Sequence, residues 1–462
     1  MERSKFRMPT AYTTLFLLIV LVAACTWLVP AGAYDYAGET PISGTYHTVS
    51  PSPQGAGAVL KAAFTGFYDA VDVCVFILMV GGFLSVVMKT GAVDAGVGRI
   101  IQRLGGNEKW MIPILMLAFG LGGTTYGMWE ETMAFYPLLI PVFLAAGYDA
   151  VVGISVILLG AGAGIISSTV NPFATGIAAG FAGVSLGDGI LLRAVQWIVF
   201  ESAAIWFVMA YAVRVKKDPS RSVVGVGAGK LQANMEQAVE FTPRRKLIMA
   251  LFTLTFLVMV YGVIPFDEMG LPLPVLGWWF PELSALFLAG GVIIGLIDRM
   301  SEEELAETYV AGCADLLGVA LIIGISRGIT VLMNDGQITG TILHWGEEAL
   351  SGAGPVSFVV LVYLIYLPLT VLIPSSSGLA TLSVPVVAPL GRFAGVGGEM
   401  VVTAFQSASG LVNIITPTAA VVMGALALGH VPYDKWVKYV WKLILYFFLL
   451  TMVFLVVGVA LG

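Results

Sequence analysis

Apolar runs close to the ~20 residues that span a bilayer recur along the chain, from Ala11 to Pro30, Val71 to Met88, Leu191 to Val213, Leu247 to Pro265, Val356 to Ile373 and Leu443 to Leu461. They predict transmembrane helices, and no soluble domain interrupts them. Other apolar segments are broken by Gly, Pro, Ser, Thr and Asn in patterns that a continuous lipid-facing helix does not prefer. The breaks come in matched pairs. Gly122-Gly-Thr-Thr-Tyr-Gly-Met-Trp-Glu-Glu131 and Pro374-Ser-Ser-Ser-Gly-Leu-Ala380 each lie between two apolar arms and predict the tips of re-entrant hairpins. Ser167-Ser-Thr-Val-Asn-Pro172 and Gly410-Leu-Val-Asn-Ile-Ile-Thr-Pro417 each lie midway along an apolar segment and predict unwound points in broken helices.

The long polar stretch from 214 to 246 divides the chain into halves of similar length. A shift of about 245 residues brings Met88-Lys-Thr-Gly91 onto Met333-Asn-Asp-Gly336 and Asn171-Pro172 onto Thr416-Pro417, and a slightly larger one brings Pro137 and Pro141 onto Pro385 and Pro389. The second half carries one more crossing before the matched region, so the two repeats run in opposite senses across the membrane. The expected fold is an all-α polytopic membrane protein of two inverted-topology repeats, each with a re-entrant hairpin and a broken transmembrane helix. Residues 1–213 form the first repeat, 214–246 a cytoplasmic linker and 247–462 the second repeat.

Composition agrees, with 58% hydrophobic and 11% charged residues, where a soluble domain has about 25% charged. If Met1 to Arg7 is cytoplasmic, the connections on its side hold 19 of the 23 Lys and Arg. The opposite segment from Tyr34 to Ala58 has none, so the positive-inside rule places the N-terminus in the cytoplasm, and the expected location is the cytoplasmic (inner) membrane. The first apolar run lacks a clear small-residue cleavage site and is expected to stay as a helix. Cys25, Cys74 and Cys313 have no CxxC spacing and suggest neither disulfides nor zinc.

Non-helical backbone at membrane depth is tolerated where protein or an aqueous cavity satisfies it, so the breaks mark a solute site. Half-helix N-termini offer amide donors to a carboxylate, which gives Thr124, Thr125, Trp129, Asn171, Ser375, Ser376, Ser377, Asn413 and Thr416 as candidate substrate contacts. Ser168, Asn171, Asn413 and Thr416 are candidate Na⁺ ligands. Glu130 and Glu131 complete the set, because a carboxylate in hydrocarbon costs about 2.5 kcal/mol or more unless paired or facing water. They receive a cationic solute group or a coupling proton, or they pair with a protein base such as Arg327. Asp69, Asp72, Glu201 and Asp315 rank below them, as residues that an interface would hydrate. Trp110, Trp197, Trp278, Trp279, Trp436 and Trp441 are expected as interfacial anchors. Tyr309 to Asp315, Ala92 to Leu104 and Ile338 to Leu350 read as interfacial or connecting helices. No catalytic residue is assigned: His47, His344 and His430 lie in apparent loops or ends, and no HExxH or GxSxG occurs.

On Gly127-Met-Trp-Glu-Glu131, Ser167-Ser-Thr-Val-Asn-Pro-Phe173, Ser375-Ser-Ser-Gly378 with Pro385 and Pro389, and Ile415-Thr-Pro-Thr-Ala419, the chain resembles the YfcC-type basic amino acid antiporters. These belong to the C4-dicarboxylate anaerobic carrier-like family of the ion transporter superfamily. The resemblance implies an inverted-repeat carrier, with arginine or ornithine exchange the label commonly attached and dicarboxylates, often with Na⁺, carried by more distant relatives. Glu130 and Glu131 would repel a dianion and suit a basic amino acid, while Arg327 would suit an anion. The expected function is therefore secondary transport of a small charged organic solute, a basic amino acid before a C4-dicarboxylate or monocarboxylate. A channel and an intramembrane enzyme are the rival classes. Partners are the solute and the lipid bilayer, with no nucleic acid. A homodimer, and Na⁺ against H⁺ as coupling ion with no other cofactor, are left open.

Overall fold

The computed structural model describes the chain apart from positions 1–10, 38–39, 43, 94, 97–106, 126, 186, 226–241, 264–271, 279 and 462. In the first half the helices are α1 (Ala11–Leu28), α2 (Ala56–Asp69), α3 (Val71–Lys89), α4 (Met111–Thr125), α5 (Tyr136–Ala145), α6 (Ala150–Ile166), α7 (Ile177–Ala182) and α8 (Ile190–Lys217). The second half holds α9 (Pro243–Val263), α10 (Phe280–Asp298), α11 (Glu302–Asp335), α12 (Thr339–Leu350), α13 (Pro355–Leu372), α14 (Ser376–Phe393), α15 (Gly398–Asn413), α16 (Ala420–Leu428) and α17 (Tyr433–Leu461). Six of them, α3, α8, α10, α11, α13 and α17, are long and apolar enough to cross a membrane. Large apolar side chains such as Leu17, Trp206, Leu257, Leu296 and Phe393 are exposed on the outside, which suits contact with lipid rather than water.

Every predicted run is a helix, and every predicted break is a break. The first hairpin is α4, an irregular tip with a 3₁₀ turn at Glu130–Ala134, and α5; the first broken helix is α6, an unwound stretch, a π turn at Pro172–Gly176, and α7. The second half repeats the order, with α13, a gap at 373–375 and α14, then α15, a gap at 414–419 and α16. A long helix follows each series, α8 in one half and α17 in the other. The 34-residue α11 packs along the α2–α3 pair, which spans positions 56–89 and is interrupted at Ala70.

Lipid tails are as apolar as the helices, so helix association depends on close packing at small residues. Three glycines join α2 to α11: a Cβ on Gly66 would run into the backbone of Gly324 and Gly328, and one on Gly328 into Ala62. Gly81 and Gly312 bring α3 to α11 in the same way. Gly120, Gly123, Gly160 and Gly164 join α4 to α6. These contacts seat α11 against α2 and α3, and the first hairpin arm α4 against the broken helix at α6.

The segment after α1 folds back over α12. Gly32–Ala33 pairs antiparallel with His47–Thr48, and Tyr36–Ala37 with Thr40–Pro41. Tyr34 donates to Glu347 at 2.9 Å, Thr341 donates to the Pro30 carbonyl at 2.6 Å, and the Tyr46 ring stacks on His344 with centroids 3.9 Å apart.

Several expectations change. Tyr309 to Asp315 is no separate helix but part of α11, and His344 sits inside α12 rather than in a loop. Most of the Ala92 to Leu104 segment, Trp279 and much of the 214–246 linker lie outside the described residues. Trp110 and Trp441 are exposed as anchors should be, but Trp436 is fully buried. Glu201 is 2% exposed, not hydrated at an interface.

Gly66→Leu is expected to force α2 and α11 apart at a cost of about 1–3 kcal/mol. A lower midpoint of thermal unfolding in detergent would register it. Gly57→Leu, where a Cβ meets nothing, should leave the midpoint unchanged.

Candidate functional site

The first break is built from α4, α6, α8 and α15 together. At the end of α6 the Ile165 and Ile166 carbonyls accept from Gln406 Nε2 at 2.9 Å and Ser407 Oγ at 3.0 Å, both on α15. Thr124 Oγ1 donates to the Ser167 carbonyl at 2.9 Å, and the Thr124 carbonyl accepts from Thr169 N at 2.8 Å and Val170 N at 3.2 Å. Arg193 of α8 reaches the Thr169 carbonyl at 3.4 Å. The second break is held from α17. Trp436 Nε1 donates to the Ile414 carbonyl at 3.1 Å and Tyr433 to the Ile415 carbonyl at 2.8 Å. Carbonyls released by unwinding thus find protein donors, as an apolar medium requires.

Between the breaks and the hairpin tips lies a cavity of about 330 Å³. The first tip supplies Gly127, Trp129, Glu130 and Glu131, and the second supplies Pro374 to Ser377. Asn171 comes from the first break, and Asn413 with Thr418 to Val421 from the second. Asp69 and Asp72 from the α2–α3 joint, with Phe280, Ile323 and Arg327, close the far wall.

Gly127 is bound to its place twice over. Its φ of +79° falls where a side chain is strained, and a Cβ would strike the Asn171 side chain. The two glutamates differ in role. Glu131 is buried and its Oε2 accepts from Trp129 N at 3.1 Å, so it closes its own turn. Glu130 is half-buried in the cavity wall, with Arg327 and Asp72 in electrostatic reach. Arg327 does not pair with the glutamates: its Nε meets Asp69 Oδ2 at 3.2 Å across the α2–α11 seam.

Helix ends point at the cavity too. Ser375 caps α14, its Oγ accepting from Gly378 N at 3.3 Å. The N-cap of α16, Ala419, makes no side-chain cap, and Ala419, Ala420 and Val421 at that helix end line the cavity. Asn413 Oδ1 is buried without a hydrogen-bond partner.

The cavity therefore gathers Trp129, Glu130, Glu131, Asn171, Ser375, Ser376, Ser377 and Asn413 among the residues expected from sequence. Thr124, Thr125, Ser168 and Thr416 lie outside its wall: Thr124 ties the first tip to the first break, Thr125 donates to Leu121 at 2.6 Å, Ser168 accepts from Thr175 at 2.6 Å, and Thr416 shares a hydrogen bond with Thr418 at 2.9 Å. Asp69 and Asp72, ranked below the hairpin pair from sequence, also line the cavity. Gln406, Ser407, Tyr433 and Trp436, which hold the breaks, were not singled out as such. Polar residues recurring inside the apolar helix α15 were the available signal for the first two.

A second, larger cavity of about 810 Å³ lies on the same elements at another level. Gly81 to Met88 of α3, Gly312 to Ile322 of α11 and Met423 to Leu428 of α16 contribute to its walls. Cys74, Ile77, Val80 and Val422, all fully buried, fall between the two linings along α3 and α16.

The sequence pattern of the C4-dicarboxylate anaerobic carrier family, DcuC, matches residues 8–460. The chain belongs to that family. It is 33% identical to an uncharacterised Haemophilus influenzae protein (strain ATCC 51907 / DSM 11121 / KW20 / Rd), over 100% of this chain and 98% of the relative. It is 30% identical to YfcC of Escherichia coli (strain K12), whose name offers basic amino acid antiport as a provisional activity, over 94% of this chain and 93% of YfcC. Two solved structures align at low identity. The Alcanivorax borkumensis YdaH transporter shares 15% identity over 97% of this chain and 99% of its own, with a TM-score of 0.43. Neisseria gonorrhoeae MtrF, from a class described as antimetabolite efflux pumps, shares 18% over 97% and 95%, with a TM-score of 0.46. As a member of the DcuC family the protein is a membrane-embedded secondary transporter of a small molecule and not an enzyme, as its sequence led one to expect.

Trp436→Phe keeps the ring but leaves the Ile414 carbonyl without its donor, and should cost about 1–3 kcal/mol. The drop in detergent unfolding temperature should exceed that of Trp441→Phe, whose side chain is half exposed.

Proposed function

We propose that this carrier moves a basic amino acid of the arginine or ornithine type. The observation that carries the reading is the charge of the cavity wall: Asp69, Asp72, Glu130 and Glu131 stand there against the single guanidinium of Arg327, which Asp69 already engages. A dianion entering this space meets net repulsion. A zwitterion with a cationic side chain instead places its guanidinium or ammonium at Glu130, in a charge-assisted hydrogen bond. Its carboxylate lies toward the N-terminal ends of α14 and α16, whose amides favour an anion. Asn413 Oδ1 is placed to accept from the α-ammonium, and Trp129 offers a flat apolar surface to the side-chain stem.

The two halves act in this reading as repeats of opposite orientation, 1–213 and 247–462 about the linker 214–246, with the cavity between them. The shared element order supports the repeat. The N-terminus lies in the cytoplasm and the membrane is the inner one. Basic residues at one set of helix ends support this, among them Lys89 with Glu304 at 3.4 Å, Arg244 with Asp298 at 3.5 Å and Lys216 with Glu108 at 2.9 Å. For coupling, the residues offered for Na⁺ are in large part engaged: Ser168 with Thr175 and Thr416 with Thr418. A proton suits the arrangement better. A dicarboxylate or monocarboxylate carrier is the second reading, and Arg327 on the cavity wall is what favours it.

In proteoliposomes loaded with unlabelled arginine, uptake of labelled arginine should saturate and be stimulated from the opposite side, which a channel would not show. Glu130→Gln should weaken arginine by about tenfold or more while citrulline changes little. Saturable succinate uptake with no arginine exchange would overturn the basic amino acid reading.

A further inference from the structure

Near the middle of α8 stands Glu201, a carboxylic acid that none of the cavity chemistry uses. It is 2% exposed. Gly120 of α4 makes the room for it, since a Cβ at that position would run into the Glu201 carboxyl. Neither carboxyl oxygen has a hydrogen bond of good geometry, and the one donor near it is the indole N–H of Trp197, one turn earlier.

Among the described residues no cation is set against this acid. The helices α4 and α6, which pack on α8, carry no ionisable side chain. At this level α17 presents Phe447 and Phe454 to Phe200. The charged groups of neighbouring elements gather at the C-terminal end of α8: Glu108 with Lys216, Asp218 with Arg221, Asp149 with Tyr211, and the α17 turn that brings Tyr439 against Tyr211 and carries Asp434, Lys435, Lys438 and Lys442. Two turns the other way, Arg193 reaches the first break and has Asp188 and Glu399 within electrostatic range. A bare carboxylate in such surroundings is costly unless it is paired or faces water.

The arm that covers Glu201 is the arm that carries the cavity tip. α4 ends at Thr125, next to Gly127, Trp129 and Glu130. We propose that Glu201 is the proton-binding site of this carrier, protonated while α4 lies against α8 and deprotonated to water when the arm moves and exposes it. Proton occupancy is thereby linked to the position of the hairpin tip, whatever solute the cavity takes. The inference rests on the transporter assignment and not on the basic amino acid reading.

Infrared difference spectra of the full chain in lipid, taken as pH is raised, test the site without any solute. Wild type should show the carbonyl-stretch band of a protonated carboxylic acid that disappears on titration, and Glu201→Gln should lack it. Spectra of the two proteins that coincide would overturn the proposal. In proteoliposomes holding a pH-sensitive dye, Glu201→Gln should retain counterflow of whichever of arginine or succinate wild type exchanges, within about threefold, and lose solute-driven proton movement by about tenfold or more. Glu201→Asp, which keeps the acid, should recover part of that movement. Proton movement undiminished in Glu201→Gln, or absent from wild type that exchanges solute, would sink the idea. Absence of exchange with both solutes, beside a titrating band, would count against the solute assignment alone.

Discussion

Backbone inside hydrocarbon has no water to bond with, and everything at the centre of this protein follows from that constraint. Opening a helix at Ser167 or Ile414 frees carbonyls and amides that must be met by other protein groups. The partners come from elements far along the chain: Gln406 and Ser407 serve the first break, Tyr433 and Trp436 the second. Each opened helix is thus tied to a helix that follows, and α15 of the second half is tied to α6 of the first. What creates a solute-sized space also welds its walls together.

The same medium sorts the acids by their neighbours. Glu131 is absorbed into its own turn, Asp69 into an ion pair, and Glu201 into apolar packing. Glu130 is left partly open to the cavity. A sequence reading that weighs all carboxylates by hydropathy cannot separate these cases, because the difference lies in which helix each one faces.

Helix positions and breaks were legible because they depend on local composition: a run of apolar residues, or Pro and Gly within one. The hairpin glutamates and Ser375 to Ser377 were legible for the same reason. Asp69 and Asp72 were not, since an acid near the end of an apolar run looks hydrated until Arg327 and Phe280 are seen beside it. Trp436 was misread because α17 begins at Tyr433, well before its most apolar stretch, and that early part packs on the second break rather than on headgroups. Nor does sequence reveal that Gly120 exists to seat Glu201, for a glycine in a membrane helix has many ordinary uses.

The two cavities share α3, α11 and α16 as walls, and on α16 the lining passes from Val421 to Met423 with one residue between. A partition this thin need not unfold or swing far to change sides. Sliding one wall by a single helical turn, about 5.4 Å, would carry the fully buried Val80 and Val422 past their present neighbours.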